Sequence, residues 1–511
     1  MQLRLNWLFI MPFNLAVMIL CTVPCGGQTF TNRTAELVPG LAGQRIAWGD
    51  YNNDGFVDFL CGNRVYRNNA GTGFKDVFAV TDEFGLDGIW ADYNNDGRLD
   101  IYAWDSNALY RNESTAEKAA FTKVEMPAIS ARNTYGASWA DYDNNGFVDL
   151  YVCGFQFRNA SQPDAIMMNN NGVFTRDWEQ AEPFLRTKAV TSCDFDQDGD
   201  QDIYVSHYSL QPNILWQNNG SAVFANTAEA YGVQGHYKPG DGHAFGHTIG
   251  SAWGDVDNDG HIDLFVGNFR HNWGDGTQDF AAFYKNMGPG NRNPDNDWHF
   301  FRNTELSGAN WQESYATPAL GDYDNDGDLD LYITTVYPGD SARLFRNDGK
   351  TSHQDWIMTN VTAAAGLADM GKTYGAAWAD FDNDGDLDLI TDHKLFVNNG
   401  NAIPGESTPA KQNHWLKVHL KGDGKTVNSA AIGTQVRIAI DNKLLTRQVE
   451  GGTGAGSQHD LTLHFGLGEH AGPVNLQILA PGGASSTIKD VAVDQTVTYV
   501  VSKTASQPNS D

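Results

Sequence analysis

Seven short stretches of this sequence carry oxygen-bearing side chains at one repeated spacing. One reads Asp322-Tyr323-Asp324-Asn325-Asp326-Gly327-Asp328-Leu329-Asp330. Carboxylates stand at loop positions 1, 3, 5 and 9, and glycine at position 6. Hard cations such as Ca2+ take about six to eight oxygens at short range, and such a loop supplies them. Gly327 has no Cβ, so the backbone can turn sharply there and aim the position-7 carbonyl at an ion. The same pattern recurs at Asp50 (with Asn52, Asp54, Asp58), Asp92 (Asn94, Asp96, Asp100) and Asp141 (Asp143, Asn145, Asp149). It recurs again at Asp194 (Asp196, Asp198, Asp202), Asp255 (Asp257, Asp259, Asp263) and Asp380 (Asp382, Asp384, Asp388). An Asn at one of these positions keeps an oxygen but no charge. Up to seven structural Ca2+ ions are therefore expected. Mg2+ suits the loops less, because it demands a tighter octahedron.

These loops are not EF-hands, which need a bidentate Glu at position 12 and flanking helices. Position 12 here is Cys61, Ala103, Val152, Val205, Val266, Ile333 or Thr391, each inside an apolar alternating run. Such runs read as strands.

The elements that hold the loops follow from the repeat. The first Asp residues lie 42, 49, 53, 61, 67 and 58 residues apart, a spacing typical of one supersecondary unit per repeat. Each unit opens with a Gly/Ala/Trp-rich strand, such as Tyr135-Gly136-Ala137-Ser138-Trp139, whose small residues suit a crowded axis. The loop follows, then a second strand, then a third ending in Asn, as at Leu344-Phe345-Arg346-Asn347. Turns such as Asp348-Gly349 lead to an outer strand. Four antiparallel strands repeated seven times predict an all-β, seven-bladed β-propeller with calcium-binding loops over residues 28–400. The last repeat lacks an outer strand, and the spare stretch at Phe30 is expected to complete it. A linker over 401–411 then precedes alternating runs in 412–503, which predict a small C-terminal β-sandwich with a tail at 504–511.

Composition agrees. The 511 residues carry a net charge of −29, much of it in the loops, and seven divalent ions would roughly halve it. That balance argues against nucleic acid or an anionic membrane as partner. The apolar run from Leu8 to Val23, following Arg4, reads as a signal peptide over 1–27 and predicts a secreted or extracytoplasmic protein without a stable membrane span. Cys153 and Cys193 could pair, or could stay buried thiols together with Cys61. Sequons occur at Asn32, Asn112, Asn159, Asn219 and Asn360.

If the seven loops share one rim, the starts of the first strands and the ends of the second share the other. His207, Tyr208, His247, Arg270 and His271 map there, beside Asp105, Arg132, Lys188, Lys372 and His393. A mixed aromatic and titratable set could bind a sugar or supply acid and base groups. His243 and His247 stand four apart, but the glycines around them oppose a helix, and on a strand they lie too far apart to share an ion.

The loops, most led by Trp-Ala-Asp or Trp-Gly-Asp, resemble the FG-GAP/VCBS repeats also found in integrin α-subunits. Asn413-His414-Trp415-Leu416, Glu450-Gly451-Gly452, Ser457-Gln458 and Phe465-Gly466-Leu467-Gly468 resemble the ASPIC/UnbV domain. Together they resemble the cartilage acidic protein family. The resemblance implies a secreted calcium-binding protein, and the rim residues add the expectation of a glycan or extracellular protein as its partner. The competing expectation is an extracellular enzyme, polysaccharide lyase-like or cyclase-like, with its site at the channel mouth.

Overall fold

The computed structural model describes residues 30–80, 87–115, 118–181, 183–236, 245–271, 279–289, 298–303, 312–350, 356–368, 370–400 and 413–503. The expected signal peptide, linker and tail, and His243, lie outside the described residues.

The position-9 aspartate of every loop opens a strand: Asp58–Cys61, Asp100–Ala103, Asp149–Gly154, Asp202–His207, Asp263–Phe269, Asp330–Thr335 and Asp388–Thr391. Each pairs antiparallel with the strand before its loop: Ile46–Gly49, Gly88–Ala91, Thr134–Ala140, Thr187–Cys193, His247–Gly254, Tyr315–Gly321 and Ala376–Ala379. These first strands are inner strands, and their small residues are required by packing. A Cβ on Gly250 would meet the Gly454 carbonyl oxygen at 2.9 Å. Third and fourth strands complete seven four-stranded sheets. In the first sheet Phe59 faces Trp48 on one side and Tyr66 on the other.

The inner strands pack one against the next, and Ala376–Ala379 returns to Ile46–Gly49, closing a ring. The seventh sheet draws on both ends of this region. Phe30–Asn32 pairs with Lys394–Asn398, with Phe30 opposite Asn398. Phe30 is 3% exposed and packs against Tyr323 and Trp378, with ring centroids 5.9 and 6.0 Å away.

Two circuits of side-chain hydrogen bonds tie the loops together. The Asn ending each third strand sends its amide N–H back to the position-2 carbonyl of the preceding loop, at 2.7–2.9 Å: Asn112 to Tyr51, Asn169 to Tyr93, Asn218 to Tyr142, Asn286 to Phe195, Asn347 to Val256, Asn398 to Tyr323, and Asn68 to Phe381. The second circuit runs forward from position 4. Asn53 donates to the Gly97 carbonyl, and at the far end Asn383 donates to the Gly55 carbonyl. Asn95, Asn144, Gln197, Asn258 and Asn325 make the steps between. All seven position-4 residues have φ between 55° and 60°. This left-handed region favours Asn among residues with a side chain.

Three tryptophans preceding loops add indole N–H bonds to a neighbouring inner strand: Trp48 to Ala377, Trp90 to Ala47 and Trp378 to Ala319. Cys61, Cys153 and Cys193 are buried free thiols, so Cys153 and Cys193 are not joined. Asn112 is fully buried within the circuit, which removes it as an accessible sequon.

The C-terminal region forms two facing sheets. In one, His414–Gly422 lies between Leu463–Gly468 and Gln495–Val501, the latter parallel to it. In the other, Gln435–Ile440 lies between Lys443–Gln448 and Val474–Leu479, with Ser485–Val491 outside. Leu416, Val418, Val436, Ile438, Phe465 and Leu476 fill the space between. Each such side chain contributes about 1.5–3 kcal/mol by burial. The same apolar cluster continues into the ring through Tyr93, Trp139 and Leu150.

Candidate metal centres and channel mouth

Within each loop the backbone N–H groups aim the carboxylates inward. In the Asp322 loop, Asp322 Oδ1 accepts from Asp326 N and Oδ2 from Gly327 N. Asp330 Oδ2 accepts from Tyr323 N, and Oδ1 from Asn347 N on the third strand. Gly327 turns with φ 93°, as the sequence requires at position 6. Five groups bring three carboxylate oxygens within 4.8 Å of one another: Asp141/143/149, Asp194/196/202, Asp255/257/259, Asp322/324/330 and Asp380/382/388. The Asp50 and Asp92 loops repeat the hydrogen-bond pattern with Asn52 and Asn94 at position 3.

The residues fit a hard cation. Among the described residues, buried oxygens of Asp194, Asp196, Asp202, Asp324 and Asp382 have no hydrogen-bond donor. Burial, and then neighbouring carboxylates, push Asp194 up to about 8. Burial with crowding, partly offset by backbone N–H donors, also pushes Asp58 and Asp100 to about 8. Asp149, Asp202, Asp263, Asp330 and Asp388 rise well above the carboxylate range for the same reasons. A divalent ion in the loop would supply the missing counter-charge. The chain's own cations meet part of the need. Lys285 Nζ bonds Asp257 and, at 2.9 Å, Asp259, while Lys417 Nζ lies 2.9 Å from Asp380 Oδ2.

The C-terminal region sits on this rim. Gly466 N donates to Asp322 Oδ2 at 3.0 Å, Lys443 Nζ reaches Asp328 Oδ1 at 2.7 Å, and Lys503 Nζ reaches the Asn144 carbonyl at 2.8 Å. A cleft of about 790 Å³ remains between the Asp50, Asp92 and Asp380 loops and Lys417–Lys425. The segment 450–460 descends into the axis. Gln458 N donates to Ile46 O, its side chain exchanges two bonds with Trp90, and Gly454 pairs with Ser251. Ala455 lies deepest, packed with Ala189, Ile249, Phe269 and Ala316.

The opposite mouth gathers part of the expected set. Tyr208 and His247 have ring centroids 4.6 Å apart, and His247 and His271 are 4.7 Å apart. His247 Nδ1 accepts from Ser209 N, and burial holds its imidazole down to about 4. His271 Nδ1 lies 3.2 Å from Glu313 Oε1, and its ring stacks on Tyr337. Glu313 and Tyr337 come from the next sheet and lay outside the sequence-based set.

His207 is placed elsewhere. It is fully buried, with Nδ1 bonded to the Pro212 carbonyl. Arg270 turns away to lie over Phe280, 3.7 Å from the ring centroid. Both follow from strand alternation: neighbours of an inward residue point to the other face. Asp105 and Lys372 are exposed, Arg132 lies near the Phe157 ring, and His393 occupies a tight turn with φ 57°.

The FG-GAP-like repeat family matches residues 92–152, 194–266 and 322–391, each stretch beginning at a first Asp and spanning two loops. ASPIC and UnbV matches residues 424–507. The chain carries FG-GAP-like repeats and an ASPIC and UnbV domain. It is 26% identical over 284 residues to cartilage acidic protein 1 of Xenopus tropicalis, covering 53% of this chain and 38% of that protein. To the Homo sapiens protein of that name it is 26% identical over 274 residues, covering 50% of this chain and 35% of the relative. The chain thus matches little more than a third of those relatives' length. Among solved structures, an Agrocybe aegerita lectin described as recognising non-reducing terminal N-acetylglucosamine superposes with a TM-score of 0.41 at 17% identity, covering 66% of this chain and 85% of the lectin. Among the described residues no helix is long and apolar enough to cross a membrane.

Proposed function

We propose that this is a secreted, calcium-stabilised β-propeller that binds a glycan or extracellular protein at the mouth opposite its Asp loops. The observation that carries the reading is the division of the ring into two ends. One end, with its carboxylate loops, is covered by the ASPIC and UnbV domain, whose segment 450–460 fills the axis. The other end presents Tyr208, His247, Tyr337 and Tyr374, all partly exposed. Half-exposed aromatic rings with a few polar groups are what a saccharide face requires. Calcium at positions 1, 3, 5 and 9 would hold the ring and, through Asp322 and Asp380, the covering domain.

The enzymatic alternative has one specific support. His271, Glu313, His247 and Tyr337 converge closely enough for proton transfer to a bound sugar.

One experiment separates the readings. Purified protein is passed over acidic and neutral polysaccharides with calcium or chelator, and both retention and new reducing or unsaturated ends are recorded. Calcium-dependent retention without new ends supports binding. New ends that vanish in His271→Ala make it a lyase or hydrolase. Loss of neither stability nor retention in chelator contradicts the calcium role.

A further inference from the structure

We infer that the open mouth holds an anion-binding subsite, built around Lys188, that takes the carboxylate of an acidic saccharide. The inference rests on the proposal above that this mouth binds a glycan, and it names the ligand's charge class.

Lys188 is the second residue of the inner strand Thr187–Cys193 and is only 7% exposed. Its ammonium lies 3.8 Å from the centroid of Tyr135, 4.0 Å from Phe155, and 5.7 Å from both Tyr208 and Tyr374. No carboxylate pairs with it among the described residues. A second cation stands nearby, but it has a carboxylate facing it, Asp87. Arg45, also buried, stands over Tyr374 at 5.0 Å and donates from Nε to the Ala455 carbonyl at the tip of the axial segment. Burial and Arg45 together hold the Lys188 ammonium down to about 7.

A buried ammonium without a carboxylate costs stability, and cation–π contacts return only part of it, about 0.5–2 kcal/mol per contact. Elsewhere in this chain buried cations meet carboxylates, as Lys417 does Asp380. At the mouth Asp87 faces Arg45 and Glu313 bonds His271, but neither pairs with Lys188, while four half-buried rings provide flat faces beside the ammonium. A uronate residue completes both: its carboxylate pairs with Lys188, and its ring carbons lie on Tyr135 or Tyr208. The overall charge of −29 repels acidic polymers, so affinity for one must come from such a local site.

The test is isothermal titration of the full chain, in calcium, with a tetrasaccharide of 1,4-linked uronic acid and with its carboxyl-reduced neutral counterpart. Wild type is expected to bind the uronate at least tenfold more tightly than the neutral sugar. Lys188→Met should lose tenfold or more, while Lys489→Met, on an outer strand of the C-terminal domain, should match wild type. Ligand-free Lys188→Met should melt no lower than wild type, whereas a purely structural lysine would lower the melting temperature. Tyr135→Leu, which keeps the charge and removes a ring, should weaken the uronate as a second, independent variant. Equal binding of both sugars, or full affinity in Lys188→Met and Tyr135→Leu, overturns the anion subsite and leaves the glycan reading standing. No binding of either sugar by folded protein removes the glycan reading and this inference with it.

Discussion

Replacing Asp324 by Asn should change stability with opposite sign in chelator and in calcium. Asp324 sits at position 3 of its loop, and its Oδ1 is buried without a hydrogen-bond donor. Burial, and then repulsion from Asp326, push its carboxyl up to about 7. Each pKa unit corresponds to about 1.4 kcal/mol, so ionising this group at pH 8 in the metal-free fold costs a few kcal/mol. Asn has nearly the same shape and no charge. In chelator, Asp324→Asn should therefore stabilise, by about 1–3 kcal/mol after the rest of the loop relaxes.

In calcium the sign turns. A site saturated a hundredfold above its Kd adds about 2.7 kcal/mol, and losing one of its charges removes much of that. Asp330→Asn is the internal control. Both Asp330 oxygens accept backbone N–H groups, so an amide nitrogen there faces a donor. That leaves a buried N–H unsatisfied, worth about 1–3 kcal/mol of loss in either condition. Thermal or denaturant unfolding of the three proteins, with chelator and with calcium, reads all the signs. Asp324→Asn destabilising in both conditions would refute the argument that the loop is an uncompensated anion cage.

Metal-free protein should lose stability as pH rises from about 4 to 8, because Asp58, Asp100 and Asp194 have folded pKa values raised to about 8 and the fold releases its protons only there. Calcium should flatten that slope, and melts in chelator at pH 5 and 8 check it. Phe30→Ala should cost about 3–5 kcal/mol, because it empties a buried site against Tyr323 and Trp378 at the seam of the ring. An unfolding curve that moves by under 1 kcal/mol would mean the N-terminal strand does not close the seventh sheet. Gln458→Ala should cost about 2–4 kcal/mol by stranding both Trp90 N and Trp90 O. The same variant should raise protease sensitivity within 450–460, which limited digestion measures.

The ring was legible because its chemistry repeats. Seven acidic loops at a common spacing located the turns, and the strand after each loop followed from alternation at residues such as Leu331 and Ile333. The missing fourth strand of the seventh repeat, supplied at Phe30, was legible as an arithmetic gap in the last repeat. Position 4 was not read, although Asn fills it in six loops, because its importance lies in a left-handed φ and in a contact with the next repeat. The mouth was half legible. Tyr208, His247 and His271 follow from counting along strands, whereas Glu313 and Tyr337 meet them only through ring closure. Period-2 reasoning also could have excluded His207 and Arg270, which alternate away from their neighbours. The docking of the C-terminal domain on the carboxylate rim carried no local signal, since Gly466, Lys417 and Lys443 contact loops distant in sequence.

The seam between Phe30–Asn32 and Lys394–Asn398 also sets an order of events during synthesis. The partners at this junction lie some 360 residues apart in the chain. At about 5–20 residues per second, the first strand waits tens of seconds for its mate to emerge. Until then both circuits of amide bonds stay open at Asn68 and Asn383, and the hydrophobic edge of the first and last sheets stays uncovered. The nascent protein is a growing arc whose final repeat acts as the clasp. A chain truncated anywhere before Asn398 has every earlier loop intact yet no way to latch, and would be expected to fail as a whole rather than lose one blade.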